Sequence, residues 1–175
     1  KAFRRPVKDE ELTPYLALFE SEIANEAPLE VAYRTALQAV LCSPDFLYLR
    51  EKPGALDDYA LASRLSYFLN RTLPDKELLA DAAAGKLSGD LETLKAHALR
   101  LLENEKSVRF VEDFTDAWLD LRNIEFTTPD SQLYPEFDPY LQDSMISETR
   151  KFFRELISSN LPVTDVVKSD FVMVN

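Results

Sequence analysis

Apolar residues recur at intervals of three and four along most of the chain, which is the spacing of one face of an α-helix. The clearest stretch runs from Tyr59 to Leu87, where Pro74 separates two such runs. Proline is well tolerated in a first helical turn, and Gly85 suits a left-handed helix end. The stretch therefore predicts a helical hairpin with one apolar side, around which the rest of the chain packs.

Runs of the same spacing lie on both sides of this hairpin and are separated by prolines or by capping residue types. They predict an all-α fold of about seven helices, packed with one continuous core as an orthogonal or irregular bundle around the hairpin. Residues 1–175 are expected to form one compact helical domain. The helices outside the hairpin are predicted to begin near Asp9, Pro28, Asp90, Ser107 and Asp138.

The apolar faces of these helices predict which side chains are buried. We expect the bulkiest members of the faces to be nearly fully buried, because burial of large apolar side chains drives folding. Aromatic residues make up 11% of the chain, which is ample for a core of this size. The residues predicted to form the core are Leu65, Phe68, Leu78, Phe114 and Trp118.

The C-terminal run from Phe171 to Val174 has strand propensity but no partner strand elsewhere in the sequence. Unpaired backbone groups must find water or another partner. We expect a short extended tail that lies loosely on the body or pairs with another copy of the chain. In this interpretation the tail is a junction with a following segment.

Composition and charge limit the classes of function. The formal net charge of −11 argues against nucleic acid and against anionic membrane as partners, since both are bound through lysine and arginine. No apolar run approaches the length of a membrane span, so membrane insertion is not expected. The chain begins at Lys1 without an initiating methionine, which we interpret as the start of an excised piece of something longer.

The scarcity of histidine and cysteine limits metal and nucleophile chemistry. His97 is the single histidine, which argues against di-iron and zinc sites, and we interpret it as a helix-flank residue. Cys42 is the single cysteine and follows an apolar run, so we expect a buried small hydrophobe. Neither residue has a partner that would make a nucleophile–base pair.

Carboxylates form the densest cluster of chemically capable side chains. Glu112, Asp116 and Asp120 are spaced four apart and are predicted to share a helix face. Such a row can bind a cation or supply a general acid and base. It lies opposite an aromatic face, however, and an amphipathic helix requires a polar side there. We therefore expect a solvated row without bound metal.

The stretch from Ile124 to Tyr140 contains three prolines and no clear period, which predicts the longest loop. Its aromatic side chains are either a platform that recognises sugar or peptide, or anchors that pin the loop to the body. We favour pinning, because a loop of this length needs side-chain anchors to be ordered. The candidate recognition residues are Phe126, Tyr134, Phe137 and Tyr140.

Four blocks of sequence together resemble one family of large multidomain proteins. These proteins are abundant in planctomycetes and related bacteria, and they carry cytochrome c-like modules beside domains of unknown function. Residues 1–51 look like one unit of these proteins and residues 57–175 like the next, and the closing block Asp170 to Asn175 resembles a point after which the family chain continues. The four blocks are Ala2 to Leu12, Leu37 to Glu51, Tyr59 to Leu87 and Val108 to Arg122.

The resemblance implies export to the periplasm or cell envelope and a neighbouring haem-bearing module. No haem attachment motif occurs in this chain, so no cofactor is expected within it. The partners implied are other domains of the same parent chain, with a protein or polysaccharide as a further possibility. The resemblance carries no assigned activity and therefore no catalytic residue.

The leading hypothesis is a non-catalytic scaffold or interaction segment of a larger exported, redox-linked protein. One alternative is a hydrolase that acts on extracellular polymer through Glu112, Asp116 or Asp120. Another is a carbohydrate or protein recognition module that uses the loop aromatics. A deep pocket with two converging carboxylates would favour the enzyme, whereas a shallow exposed aromatic strip would favour recognition.

Overall fold

The computed structural model describes residues 2–51, 53–126 and 128–174, and these residues form an all-α structure without a strand. The prediction of an all-α fold is thus confirmed. Three short 3-10 turns interrupt the connections, at Glu105–Ser107, Leu121–Phe126 and Val163–Val166. The α-helices are α1 (Asp9–Ala24), α2 (Leu29–Leu41), α3 (Pro44–Leu47), α4 (Asp58–Asn70), α5 (Lys76–Ala83), α6 (Leu91–Leu102), α7 (Val108–Trp118) and α8 (Pro139–Ser158).

The ends of several helices are set by single side chains, as local sequence predicts. The Asp138 carboxylate accepts the Leu141 N–H at 2.7 Å, with Pro139 in the first turn of α8. Gly85 follows α5 with φ +69°, the left-handed conformation expected of a C-terminal cap. The helix predicted to begin near Ser107 is α7, which begins at Val108, but the Ser107 side chain makes no capping bond because α7 continues directly from a 3-10 turn.

The chain divides into two compact units, of which the first comprises Lys1–Ser66 and Leu73–Leu94. Within it α1 packs along α2, and the rings of Phe19 and Tyr33 meet with centroids 4.9 Å apart. The buried Arg4 guanidinium donates to three carbonyl oxygens at the end of α3, at 2.7–2.8 Å. A cation there offsets the partial negative charge of a helix C-terminus.

The start of α4 is tied to the segment that follows α5 by one carboxylate. Asp58 accepts the backbone N–H groups of Leu87 at 2.6 Å and Ser88 at 2.9 Å, and also the Ser88 hydroxyl at 2.9 Å. These bonds, led by that from the Ser88 N–H, hold the pKa of Asp58 below its ordinary value. Leu78 and Leu87 are almost completely buried in this unit, whereas residues 67–72 of the same stretch belong to the second unit.

The second unit comprises Tyr67–Thr72 and Lys95–Asn175, and its core forms where α7 packs on α8. Thr115 is fully buried, and its hydroxyl donates to the Val111 carbonyl oxygen at 2.7 Å, which satisfies a polar group inside the core. Val111, Phe153 and Leu156 form the buried cluster, with Phe110, Phe152, Ile157, Leu161, Val166 and Phe171 packed partly against it.

The predicted core is correct only in part. Leu78 is fully buried and Leu65 half-buried, but the side chains of Phe68, Phe114 and Trp118 are 63%, 42% and 55% exposed. The core-facing side of α7 carries the smaller residues Val111 and Thr115, whereas the aromatic rings lie beside it. Burial of the aromatic face is therefore wrong for this helix.

Three further predictions from local sequence change in the structure. Cys42 is exposed, because the apolar run before it ends one residue earlier, with α2. His97 is buried, with Nδ1 3.1 Å from an Arg100 guanidinium nitrogen. The long loop is shorter than predicted, since its first residues form a 3-10 turn up to Phe126 and Tyr140 belongs to α8.

The C-terminal tail is held by one aromatic side chain. Phe171 packs on Phe152 with ring centroids 5.1 Å apart, while Val172 and Val174 are exposed. Asn175, the last residue of the tail, lies outside the described residues. The role of the tail as a junction stays a prediction, as does a single domain for residues 1–175.

Within the described part of the chain, no helix combines the length and apolar character that a membrane crossing needs.

Candidate functional site

Four aromatic side chains form a continuous row in the second unit, which we call the aromatic strip: Phe68, Phe110, Phe114 and Trp118. Successive ring centroids are 5.0, 5.7 and 5.5 Å apart. The three residues of α7 are spaced four apart, so the helix itself places their side chains one above the other. The sequence spacing thus determines the row, although not the side of the helix on which the core lies.

The aromatic strip is partly exposed along its length. Phe110 packs against the buried cluster, whereas Phe68, Phe114 and Trp118 each leave a large part of the ring in contact with solvent. Single exposed apolar residues are common on protein surfaces, but contiguous exposed rings are not. A contiguous aromatic surface of this kind is typical of interaction sites.

A cavity of about 270 Å³ opens at the Trp118 end of the aromatic strip, and we call it the Trp118 cavity. Elements α7, α8, the last 3-10 turn and the C-terminal tail all contribute to its wall. It is smaller than the pockets that hold drug-sized molecules, and it is suited to one side chain or a small organic group. Its lining residues are Trp118, Leu119, Glu148, Thr149, Phe152, Phe153, Val166, Phe171 and Val172.

Two pairs of aromatic rings that line the Trp118 cavity meet edge to face, while a third pair, Phe152 and Phe171, is tilted by only 30°. The planes of Trp118 and Phe153 meet at 80° with centroids 5.6 Å apart, and those of Phe152 and Phe153 meet at 87° with centroids 5.9 Å apart. Edge-to-face pairs of this kind are a favoured aromatic geometry. The arrangement builds a corner of rings rather than a flat stack.

The polar groups of the Trp118 cavity are mostly hydrogen-bond acceptors. Glu148 is exposed, and its carboxylate makes no hydrogen bond or ion pair within the part of the chain that the structure describes. The Thr149 hydroxyl already donates to the Met145 carbonyl oxygen at 2.9 Å, so its oxygen is left to accept. The Trp118 indole N–H is the only remaining side-chain donor among the lining residues.

Carboxylates beside the strip are paired with arginines. Asp116, whose side chain is 13% exposed, accepts from Arg150 at 2.7 Å and lies 3.6 Å from Arg122. The Asp113 carboxylate oxygens lie 3.3 Å from the Arg71 Nε and 3.6 Å from a guanidinium nitrogen of Arg122. These pairs engage both carboxylates with cations of the same unit, so neither is directed into an open cavity where it could act on a substrate.

The three carboxylates predicted to form one row do not form it. Asp120 lies beyond the end of α7 in a left-handed conformation with φ +56°, and it accepts from the Asn123 side chain at 2.8 Å. Glu112 is half-buried, and Asp116 is held in ion pairs rather than solvated. The predicted solvated row is therefore wrong in shape. Within the described residues, no three His, Cys, Asp or Glu side chains are grouped so that they could hold a metal ion.

Most of the aromatic residues predicted to pin the long loop to the body do not do so. Phe126, Tyr134 and Tyr140 are largely exposed, and only Phe137 is half-buried. Within the described residues, no aromatic ring contact joins them to one another or to the aromatic strip. Pinning is thus wrong for three of the four, and their role in recognition stays a prediction.

Sequence reasoning missed the Trp118 cavity. Glu148 and Phe152 are four apart and so share a face of α8, which was a usable signal for a mixed acidic and aromatic surface. The contribution of Phe171 had no such signal, because the tail reaches α8 only through tertiary structure.

Comparison with known families gives two matches. Residues 56–175 match the family model described as PSD4, protein of unknown function (DUF1592). Residues 1–51 match the model described as PSD5, protein of unknown function (DUF1595). No curated protein and no solved structure matches the chain. The two matched segments meet between α3 and α4.

Proposed function

We propose, for a chain that belongs to the DUF1592 family of proteins of unknown function, a non-catalytic role as an interaction segment of a larger protein. The observation that carries the proposal is the exposed aromatic strip with the Trp118 cavity at its end. Rings that remain in contact with water are available to be buried by a partner, and aromatic residues dominate the energetics of such interfaces.

The carboxylates support the same proposal. A hydrolytic site needs a pair of carboxylates in different protonation states within one cavity. The Trp118 cavity contains one carboxylate, Glu148, whereas Asp113 and Asp116 are engaged by arginines. The geometry therefore favours binding over acid–base catalysis.

We propose that the partner which covers the aromatic strip is another domain of the same parent chain. The test compares Trp118 in this chain alone with Trp118 in the natural full-length polypeptide. Trp118 is the only tryptophan of the chain, so its fluorescence reports on the strip directly in the isolated chain. In the longer polypeptide, other tryptophans are replaced by phenylalanine or Trp118 alone carries a 5-fluoro label.

Iodide is expected to quench Trp118 freely in the isolated chain and much less in the longer polypeptide. A Tyr134→Trp variant in a Trp118→Phe background provides the control, because Tyr134 is exposed and lies outside the strip. Equal quenching of Trp118 in both forms would contradict an intramolecular partner for the strip.

The resemblance to exported multidomain proteins with cytochrome c-like modules supports a further proposal about context. We propose that the parent is extracytoplasmic and linked to electron transfer through a neighbouring haem module. Cell fractionation of the parent with an antibody against this chain, together with a haem stain of the same band, tests both points. A cytoplasmic band without haem would contradict them.

A second candidate function is recognition of carbohydrate or peptide by the aromatic residues near the start of α8. It is favoured by the exposure of Phe126, Tyr134 and Tyr140, since sugar rings stack on exposed aromatic faces. A triple change of these residues to alanine would abolish retention on a polysaccharide column if this function is correct. Retention that the triple change leaves unaltered would remove this candidate function. Absence of retention of the unsubstituted chain would remove it as well.

A further inference from the structure

The Trp118 cavity combines an aromatic wall with a carboxylate, and we infer that it binds a basic side chain, lysine or arginine, of a protein partner. The inference deepens the proposed function and rests on it. The partner presents a cationic group to Glu148 and to the rings of Trp118, Phe152 and Phe171.

The rings provide the first argument. A cation is attracted to the face of an aromatic ring, most strongly to tryptophan, and the Trp118 cavity offers several rings to one small group. The planes of Trp118 and Phe152 each stand nearly perpendicular to that of Phe153. A flat apolar ligand would instead favour two parallel rings with space between them, whereas the near-parallel rings of Phe152 and Phe171 already pack on each other with centroids 5.1 Å apart.

The hydrogen-bonding groups provide the second argument. Glu148 and the Thr149 oxygen are acceptors, and the only side-chain donor left in the lining is the Trp118 indole N–H. A ligand rich in N–H donors is satisfied by such a lining, whereas a carboxylate or phosphate ligand would face Glu148 without a compensating cation. Neutral sugars need donors and acceptors in comparable number, which this lining does not supply.

Charge and size provide the third argument. The chain carries a formal net charge of −11, so its overall field attracts basic partners and repels acidic ones. A cavity of about 270 Å³ accommodates one long side chain rather than a folded element. The long aliphatic stems of lysine and arginine would pack on the apolar part of the wall while the charged end reaches Glu148.

The test uses the whole chain and the fluorescence of Trp118. The blocked tripeptide acetyl-Gly-Lys-Gly-amide is titrated at fixed ionic strength against the matched norleucine tripeptide, which keeps the stem and lacks the charge. The arginine tripeptide is a parallel arm, and choline and cellobiose test a free organic cation and a neutral sugar. We expect a saturable change with the lysine or arginine peptide and a dissociation constant at least tenfold higher for the norleucine peptide.

Glu148→Gln is expected to weaken binding of the basic peptide at least fivefold. Glu136→Gln is the matched control, because Glu136 is an exposed carboxylate of the same unit outside the cavity. This variant should bind the basic peptide as the unsubstituted chain does. Both variants remove one surface charge, so a loss confined to Glu148→Gln cannot come from net charge. Circular dichroism checks that both remain helical.

Several results would overturn the inference. Equal binding of the lysine and norleucine peptides would show a simple apolar groove, and equal loss in both glutamine variants would show general attraction to an acidic protein. Binding of choline or cellobiose without binding of the basic peptides would assign another ligand. If the peptides fail while Trp118 is shielded in the longer polypeptide, this inference falls and the proposed function stands. If Trp118 is not shielded, the proposed function fails whatever the peptides do.

Discussion

The Arg150 guanidinium donates to the Asp116 carboxylate at 2.7 Å, which joins α8 to α7 beside the aromatic strip. Asp116 is mostly buried and Arg150 is about one-third exposed, so solvent screens the pair less than a surface pair. We expect a double-mutant cycle with Asp116→Asn and Arg150→Met to give a coupling free energy of about 1–2 kcal/mol, between the values for exposed pairs and for charged hydrogen bonds.

The exposed pair Arg34–Glu30 on α2 is the control for that cycle. Its atoms also lie within hydrogen-bond distance, at 3.0 Å, but both side chains are largely exposed. A coupling of about 0.3–0.5 kcal/mol is expected for a helical pair of this spacing. Urea unfolding measures all four single variants and both doubles. Equal coupling in the two cycles would mean that burial of Asp116 contributes nothing.

Truncation of Trp118 is expected to destabilise the chain less than truncation of Leu78. Leu78 is fully buried, so Leu78→Ala should cost about 2–5 kcal/mol. Trp118→Ala removes a ring that is 55% exposed, and the cost should be about 1–2 kcal/mol because roughly half of its surface is never removed from water. Chemical denaturation of both variants tests the order. A larger loss for Trp118→Ala would restore the buried aromatic face predicted from periodicity.

The local ends of helices were predictable because the causes lie within a few residues. Asp138 and Pro139 precede the apolar pattern of α8, and Gly85 follows that of α5. Capping depends on residue type and on backbone conformation at one position, so a single sequence contains the necessary information. The same holds for the all-α class, which follows from repeated spacing along the whole chain.

The buried side of α7 was not predictable in the same way. Periodicity showed that Phe110, Phe114 and Trp118 share a face, but the residues one position further along the helix, Val111 and Thr115, enter the core. A hydrophobic face can be buried by the chain itself or by a partner, and the pattern is the same in both cases. The Trp118 cavity also depends on Phe171, which lies far from α7 in sequence.

Glu11 makes the free energy of unfolding depend on pH. The carboxylate accepts two bonds from Arg5, at 2.6 and 3.0 Å, and the Lys8 N–H at 2.9 Å, and these bonds lower its pKa from 4.5 to about 2. The group is charged above its unfolded pKa, so its contribution is fully present above about pH 4.5 and is lost as the pH falls towards 2.

The difference in stability between the unsubstituted chain and Glu11→Gln is therefore expected to be largest near neutral pH and to shrink between pH 4.5 and 2. Thermal unfolding at a series of pH values measures it. Glu10→Gln is the matched control, because Glu10 is an exposed neighbour in the same first turn of α1. A difference that is constant across this range would show that the Arg5–Glu11 bonds do not persist in solution.

Removal of the Asp58 carboxylate is expected to destabilise the chain more than removal of an ordinary helix cap. Asp58→Ala removes three hydrogen bonds to residues 87 and 88, and we expect a loss of about 1.5–3 kcal/mol, the range for bonds to a charged group. Asp57→Ala is the comparison, since it removes one bond at the start of α4 and should cost about 0.5–2 kcal/mol. Hydrogen exchange of the Leu87 N–H gives a local readout. Unchanged protection of that N–H in Asp58→Ala would contradict the tie between the two segments.

Helices α4 and α6 each contribute residues to both compact units, and the first unit is completed only by residues 73–94. During synthesis on the ribosome, we therefore expect the core of that unit to form only after residue 94 has been added. The boundary between the two matched family segments lies near residues 51–56, inside this unit. A genetic exchange at that boundary would deliver half of a core to each product. The two segments are accordingly expected to be inherited together, as one module.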